Sequence, residues 1–158
     1  MTDPAPSAGV FFGREHRLAV RVYYEDTDFT GVVYHANYAR YFERGRSDFL
    51  RAAGIDHTTL LQGPDPCAFT LTRLAIDFIS PARVDDALIV RTAYDEIRGA
   101  RMLISQSVTR GEQIIARGAV EAVCIRPGGG ARRPAAALLA AIRPLLEARE
   151  ETVTARAR

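Results

Sequence analysis

Residues 23–50 read YYEDTDFTGVVYHANYARYFERGRSDFL, and this stretch decides the fold. Its first part is a polar connection in which carboxylates, a glycine, an imidazole and phenols lie close together. Its second part predicts an amphipathic helix that Asn37 caps and Gly54 ends. The apolar side of that helix recurs at three- and four-residue spacing, at Tyr38, Tyr41, Phe42, Gly45 and Phe49. Loops that concentrate titratable groups often carry chemistry; the alternative is that these Asp residues only form turns.

Strand-like patterns surround this helix. Residues 17–24 alternate with the period of a half-buried strand. Four further strands are predicted over residues 67–80, 87–97, 100–109 and 113–125, and a last helix over residues 134–149. The separators are short and rich in Gly, Pro and Asp, which favours hairpins and an antiparallel meander. The pattern therefore predicts an α+β fold in which a five-stranded antiparallel sheet faces one long helix.

Composition indicates one globular domain. The chain has 158 residues, of which 47% are hydrophobic and 25% charged, with a net charge of +2. We expect a domain over residues 16–149, with a disordered extension over residues 1–15 and a disordered tail over residues 150–158.

The net charge of +2 is too small to call for a nucleic-acid partner. No segment is apolar enough for a signal peptide or an integral membrane span. Cys67 and Cys124 stand in apolar runs and predict buried, unpaired thiols, which is typical of a cytoplasmic protein.

The string over residues 23–50 resembles the hotdog-fold acyl-CoA thioesterases, specifically the 4-hydroxybenzoyl-CoA thioesterase and YbgC-type group. The resemblance covers roughly residues 17–140. It implies a sheet wrapped around the central helix and a homodimer or homotetramer. It also implies hydrolysis of an acyl-CoA or acyl-carrier-protein thioester at sites between subunits. We expect no cofactor and no metal, because the predicted site uses a carboxylate, an imidazole and backbone amides only.

The resemblance also implies roles for individual residues. The catalytic carboxylate of the family matches Asp28, and the tyrosine and histidine of the YbgC-type group match Tyr34 and His35. Gly31 matches the glycine of the turn, and the helix amides near His35 match those that polarise the thioester carbonyl. The predicted substrate pocket includes Phe29, Gly31, Tyr38 and Glu43, although Phe29 stands where smaller residues are usual.

These residue types suit thioester hydrolysis. Asp28 can activate water as a general base, or attack directly and form a mixed anhydride, and the sequence leaves both routes open. His35 can protonate the departing thiolate or orient water. Glu43 is the competing carboxylate, whereas Asp26 is expected to hold the loop through backbone amides. His16 and His57 are assigned no role, and Asp26 and Asp28 supply too few oxygen ligands for a divalent cation.

Arg98 and Arg101 flank a predicted hairpin turn. The resemblance places the phosphates of coenzyme A in this region, and arginine suits phosphate geometry. The simpler interpretation is that both side chains are solvent-exposed turn arginines.

Two other functions stay open at this point. One is a non-catalytic hotdog scaffold that binds acyl-carrier protein or lipid-synthesis enzymes. The other is a hotdog dehydratase, whose motif the Asp-Thr-Asp loop does not resemble. The sequence does not reveal the acyl group, the choice between coenzyme A and acyl-carrier protein, or the choice between dimer and tetramer.

Overall fold

A six-stranded antiparallel sheet packs against one long helix in the computed structural model, which describes residues 2–147. The strands are β1 (Val10–Phe12), β2 (Glu15–Arg21), β3 (Ala68–Phe78), β4 (Ala87–Arg98), β5 (Arg101–Arg110) and β6 (Gln113–Ile125). The helices are α1 (His35–Ala52), α2 (His57–Gln62) and α3 (Ala136–Glu147). None of the helices over residues 2–147 is long and apolar enough to cross a bilayer. The predicted α+β class is confirmed, with six strands instead of five.

The strand order is β1-β2-β4-β5-β6-β3, with every pair antiparallel. Strands β4, β5 and β6 form the predicted hairpins, and Gly99 and Gly111 adopt positive φ between them. The predicted pairing of β3 with β4 is wrong, because β3 lies beside β6 at the far edge. Three strand spacings, or roughly 14 Å, separate β3 from β4. The connection over residues 79–86 can span about 26 Å when extended, so it is long enough to cross β5 and β6.

The first strand, β1, lies inside the stretch predicted to be a disordered extension. Its three residues pair with β2 across a turn at Gly13, so the prediction of disorder is wrong for residues 10–15. A strand of three residues is too short to show an alternating pattern. The predicted tail over residues 150–158 lies outside the described residues.

Helix α1 packs its apolar side on the inner face of the sheet, where Tyr41, Phe42 and Phe49 are fully buried. It begins at His35, two residues before the predicted cap. Asn37 does not cap the helix, because its side chain donates to the carbonyl of Asp26 instead. Beyond the helix, Cys67 and Cys124 are buried and unpaired as predicted, and burial raises the pKa of the Cys124 thiol to about 12.

Gly45 sits where α1 comes closest to the sheet. A Cβ atom at this position would lie 2.7 Å from Oγ1 of Thr92 and 2.8 Å from Cγ1 of Val90. We therefore expect Gly45→Val to lower the free energy of unfolding by about 2 kcal/mol or more through overpacking. Arg44→Val introduces the same residue at the exposed neighbouring position and isolates the cost of helix propensity. Urea denaturation of both variants checks this, and equal stabilities would contradict the close approach.

His16 ties the start of the chain to α1. Its ring is fully buried against Phe11 and Phe49, and its Nε2 lies 3.0 Å from Oδ2 of Asp48. The same Asp48 oxygen accepts a hydrogen bond from the amide of Gly9 at 2.7 Å. Burial lowers the pKa of His16, and Asp48 only partly offsets that effect. The folded protein therefore holds His16 neutral at a pH where the unfolded chain already binds a proton.

Stability should consequently fall as the medium becomes more acidic. The contribution of His16 is complete above its unfolded pKa of about 6.5 and is lost as the pH falls toward the lower folded value, by up to about 1.4 kcal/mol per pH unit. Denaturation at several pH values between 7.5 and 5 measures this slope. His16→Gln removes the titration and should flatten the profile in that range; an unchanged profile would assign the slope to other groups.

Candidate active site

A tight turn presents Asp28 at the N-terminal end of α1. Residues Thr27 and Val33 form an isolated antiparallel bridge, and the amide of Asp28 donates to the carbonyl of Val32 at 3.0 Å. The amide of Gly31 closes the turn on the carbonyl of Asp28 at 3.0 Å. Gly31 has φ +80°, a conformation that glycine adopts at little cost. The glycine predicted for the turn thus has a defined geometric role.

The Asp28 carboxylate is exposed and ionised. Its Oδ1 accepts hydrogen bonds from the hydroxyl of Thr30 and from the amide of Thr30, the latter at 2.8 Å. The Thr30 hydroxyl, then the Thr30 amide and finally His35 hold the pKa of Asp28 below its usual range. With Oδ1 occupied by Thr30, Oδ2 is left to face a water molecule or a carbonyl carbon.

Asp26 locks this turn to the helix. Its side chain is buried, and its Oδ2 accepts from the amide of Tyr23 at 2.8 Å, as predicted for a loop-holding aspartate. Its backbone carbonyl accepts from the amide of Tyr34 at 2.9 Å and from Nδ2 of Asn37 at 2.7 Å. Asp28 is therefore held on a short, fully bonded connection.

The first turn of α1, which follows directly after the turn that carries Asp28, offers two backbone donors. The amide of Asn37 donates to the carbonyl of Tyr34, but no backbone carbonyl within residues 2–147 accepts from the amides of His35 and Ala36. The positive end of the helix dipole adds to these amides. Such a pair suits an oxygen that becomes negatively charged.

Aromatic side chains form the wall around this turn. The rings of Tyr34 and His35 are tilted with centroids 4.3 Å apart, and Phe78 of β3 lies 6.4 Å from His35 and 5.5 Å from Tyr38. Tyr38 is buried, whereas Phe29 is fully exposed at the tip of the turn. Phe29 therefore lines no pocket within one chain, and its place in the substrate pocket stays a prediction.

A second polar group lies farther along α1. Glu43 follows His35 by eight residues, or about 12 Å of helix rise, so the structure does not bring it to Asp28. Oγ of Ser47 donates to Oε1 of Glu43 at 2.9 Å and lies 3.1 Å from Nε2 of His57. These three residues border a pocket of about 330 Å³ between α1, α2 and β3.

The part that His57 plays in this group was missed from the sequence. The signals are the four-residue spacing of Glu43 and Ser47 on one helix, and Asp56, whose carboxylate caps α2 by accepting from the amide of Thr59 at 2.8 Å. That cap fixes the start of α2 and with it the position of His57.

Arg98 and Arg101 flank the β4–β5 turn as predicted, away from Asp28. Arg98 pairs with Glu96, and Arg101 pairs with Glu121 at 3.4 Å, while their side chains stay 77% and 65% exposed. Both guanidinium groups remain accessible from solvent.

Comparisons with known proteins agree on the family. Residues 30–116 match the family model of the Thioesterase superfamily. Acyl-CoA thioesterase YbgC of Haemophilus influenzae is 42% identical over 109 residues, which cover 69% of this chain and 79% of that protein. Acyl-CoA thioester hydrolase YbgC of Escherichia coli strain CFT073 is 37% identical over 112 residues, or 70% and 82% of the two chains.

A solved structure shows the same fold. The crystal structure of a probable thioesterase from Bartonella henselae superposes with a TM-score of 0.73 at 40% identity, covering 75% of this chain and 98% of that one. Together with the sequence relatives, this likeness supports the hotdog arrangement of sheet and helix. The chain belongs to the thioesterase superfamily, in its YbgC-type group.

Proposed function

We propose that this protein hydrolyses acyl-CoA thioesters, with Asp28 as general base or nucleophile. The observation that carries the proposal is that one short connection carries both an exposed, ionised carboxylate, Asp28, and the amides of His35 and Ala36, which donate to no backbone carbonyl within residues 2–147. The carbonyl of a thioester held by those amides would become an oxyanion in a site prepared for it. His35, and with it Tyr34, stands next to the same carbonyl and can protonate the leaving thiolate.

The active form is proposed to be a homodimer paired through β3. This strand is eleven residues long and forms one edge of the sheet. It carries Leu71, Leu74 and Phe78 on the helix side, each more than a third exposed. Helix α1 lies mainly over β2, β4 and β5 and meets β3 at Phe78, so Leu71 and Leu74 stay largely uncovered. A long apolar edge is normally covered, and antiparallel pairing across a two-fold axis covers both copies at once.

This pairing would complete the site. The Phe78 end of β3 packs on His35 and Tyr38, whereas Phe69 at the other end packs 6.2 Å from His57. Antiparallel pairing along the strand sets the Phe78 end of one protomer beside the Ala68 end of its partner. Asp28 of one protomer would then face the pocket that the partner subunit's Glu43, the partner subunit's Ser47 and the partner subunit's His57 border. The predicted pocket role of Glu43 fits this arrangement.

Arg98 and Arg101 are proposed to bind the phosphates of coenzyme A. Arg101 lies opposite Val123 on β6, which lies opposite Thr70 on β3, so the arginine turn and the pocket share one end of the sheet. In the proposed dimer this end meets the Asp28 turn of the partner. Acyl-carrier protein as an alternative carrier, tetramer formation and a cytoplasmic location stay predictions.

A panel of acyl-CoA esters with a thiol-detecting assay tests the function. Release of free coenzyme A by the purified protein, without added metal, is the expected result. A protein that binds acyl-CoA but releases no thiol from any ester would instead be the non-catalytic scaffold.

A further inference from the structure

The sheet has an outer face that α1 does not cover, and three arginines lie on it. On β4, Thr92 faces the helix, because a Cβ atom at Gly45 would lie 2.7 Å from its Oγ1. Side chains alternate along a strand, so the neighbouring Arg91 points to the outer face. The same alternation places Arg17 of β2 and Arg117 of β6 on that face, since each lies next to a residue that packs inward.

The strand register aligns these arginines in one row. Arg17 lies opposite Arg91, and Ser107 of β5 lies opposite both Arg91 and Arg117. The row therefore crosses β2, β4, β5 and β6, a width of about 14 Å. Like charges directly opposite each other destabilise a sheet. An anion bound across the row would remove that repulsion.

Carboxylates neutralise the row only in part. Oε1 of Glu15 accepts from Nε of Arg17 at 2.6 Å and from Nη1 of Arg91 at 3.3 Å, so one oxygen serves two guanidinium groups. Nε of Arg91 is buried and has no hydrogen-bond partner within residues 2–147. Arg117 forms no ion pair with a described carboxylate, although Asp77 lies opposite it on β3. Donors are thus left over along the whole row.

The row lines a cleft of about 850 Å³, which we call the outer cleft. Small residues, among them Ala93, Ser105 and Gly118, also line it, and the β1–β2 hairpin adds Phe12 and Arg14. Four arginines and two carboxylates line the cleft in all, which leaves a surplus of two positive charges. The volume lies within the range of small-molecule sites.

The arrangement of donors favours linked phosphates over other anions. Guanidinium groups match phosphate oxygens with two parallel hydrogen bonds, and the Ser107 hydroxyl adds a donor in the middle of the row. The backbones at Arg91 and Arg117 are two strands, or about 10 Å, apart, so a chain of phosphates contacts both ends more readily than a single phosphate does. A second copy of the chain fits poorly, because it would bring the same positive row against this one.

We propose that the outer cleft binds a short polyphosphate, either free or as part of a nucleotide. A nucleotide would find Phe12 in the cleft, which is half exposed and has the guanidinium of Arg17 4.2 Å from its ring centroid. The cleft is separate from the proposed coenzyme A site, because Ser107 lies six residues, or about 20 Å, along β5 from Arg101. This binding does not depend on the proposed thioesterase function.

Calorimetry on the full chain tests the proposal with pyrophosphate, tripolyphosphate and ADP, at low salt and without divalent ions. We expect saturable binding of one polyphosphate per chain that weakens as sodium chloride is added. Comparing the probes identifies the source of the phosphates. ADP that binds at least about tenfold more tightly than pyrophosphate assigns the cleft to a nucleotide, and a smaller difference assigns it to free polyphosphate.

Variants locate the binding in the row. Ser107→Asp introduces a negative charge between the arginines and should weaken binding at least about thirtyfold. Ser107→Asn has nearly the same shape without the charge and should keep the affinity within about threefold. Arg117→Gln should weaken binding about tenfold, whereas Arg73→Gln, on the same face but outside the cleft, should have no effect. The melting temperature of each variant without ligand shows that it is folded.

Three results would overturn the proposal. The first is the lack of saturable binding of any of the three probes. The second is binding that survives Ser107→Asp but disappears in Arg98→Gln/Arg101→Gln, which would place the phosphates at the β4–β5 turn. The third is an assembly larger than a dimer that Ser107→Asp dissociates and that binds no pyrophosphate, which would show that a second copy covers the outer face.

Discussion

Asp28→Asn should lower kcat by at least about a hundredfold while folding and acyl-CoA binding persist. Asparagine keeps the shape of the side chain, and its oxygen can still accept from the amide of Thr30, as Oδ1 of Asp28 does at 2.8 Å. The turn should therefore stay intact. What disappears is the negative charge that we propose deprotonates water or attacks the thioester. Asp26 on the same connection does not replace it, because its side chain is buried and accepts from the amide of Tyr23.

Two further variants test whether the loss of kcat is specific to Asp28. Asp85→Asn changes an exposed aspartate with φ 69°, a conformation that asparagine tolerates, and should leave kcat unchanged. Glu43→Gln removes the competing carboxylate and should change the preference among acyl groups more than kcat for a plain ester. Near-normal turnover by Asp28→Asn together with an inactive Glu43→Gln would move the catalytic role to Glu43.

Strands could be predicted from the sequence where the alternation of apolar and polar residues is long. The strands predicted over residues 87–97 and 113–125 are observed as Ala87–Arg98 and Gln113–Ile125, because alternation over ten or more residues fixes both faces. The pairing of β3 was not predictable in this way. Periodicity shows which face of a strand is buried but not which strand lies beside it, and eight connecting residues allow either a hairpin or a crossing.

In the candidate site, too, contacts between residues close in sequence were predictable and contacts between distant elements were not. Asp28, Gly31, Tyr34 and His35 are neighbours in sequence, so one motif predicts all four, and the structure places them on the turn before α1 and at the N-terminal end of that helix. Their catalytic roles stay predictions. His57 approaches Ser47 only because α2 folds back on α1. The local signals, which are the spacing of Glu43 and Ser47 and the Asp56 cap, do not show that the two helices meet. At Asn37 a local pattern gave a wrong prediction. Asparagine is typical of helix caps, but the helix begins two residues earlier and the Asn37 side chain donates to the carbonyl of Asp26.

Mixing two inactive variants should restore activity if the site is shared between protomers. Asp28→Asn lacks the proposed catalytic carboxylate but keeps the pocket. Ser47→Trp keeps Asp28 but fills the pocket of about 330 Å³ beside Glu43 and His57, so its own turnover should also fall by about a hundredfold. In a mixed dimer, the intact Asp28 of one protomer faces the intact pocket of the other, and one of the two sites is complete.

The expected recovery is about a quarter of wild-type activity, because random pairing makes about half of the dimers mixed and each mixed dimer has one working site. The variants are co-expressed with different affinity tags, and light scattering shows whether the purified species is a dimer. Val10→Asp, on the opposite edge of the sheet, should still pair, whereas Leu74→Asp on β3 should yield inactive monomers that mixing cannot rescue. Mixed dimers that stay as inactive as their parents would show instead that Asp28 works with the pocket of its own chain. That arrangement is hard to reconcile with the structure, because about 12 Å of helix α1 separates the start of the helix from Glu43 and a short acyl group does not bridge that distance.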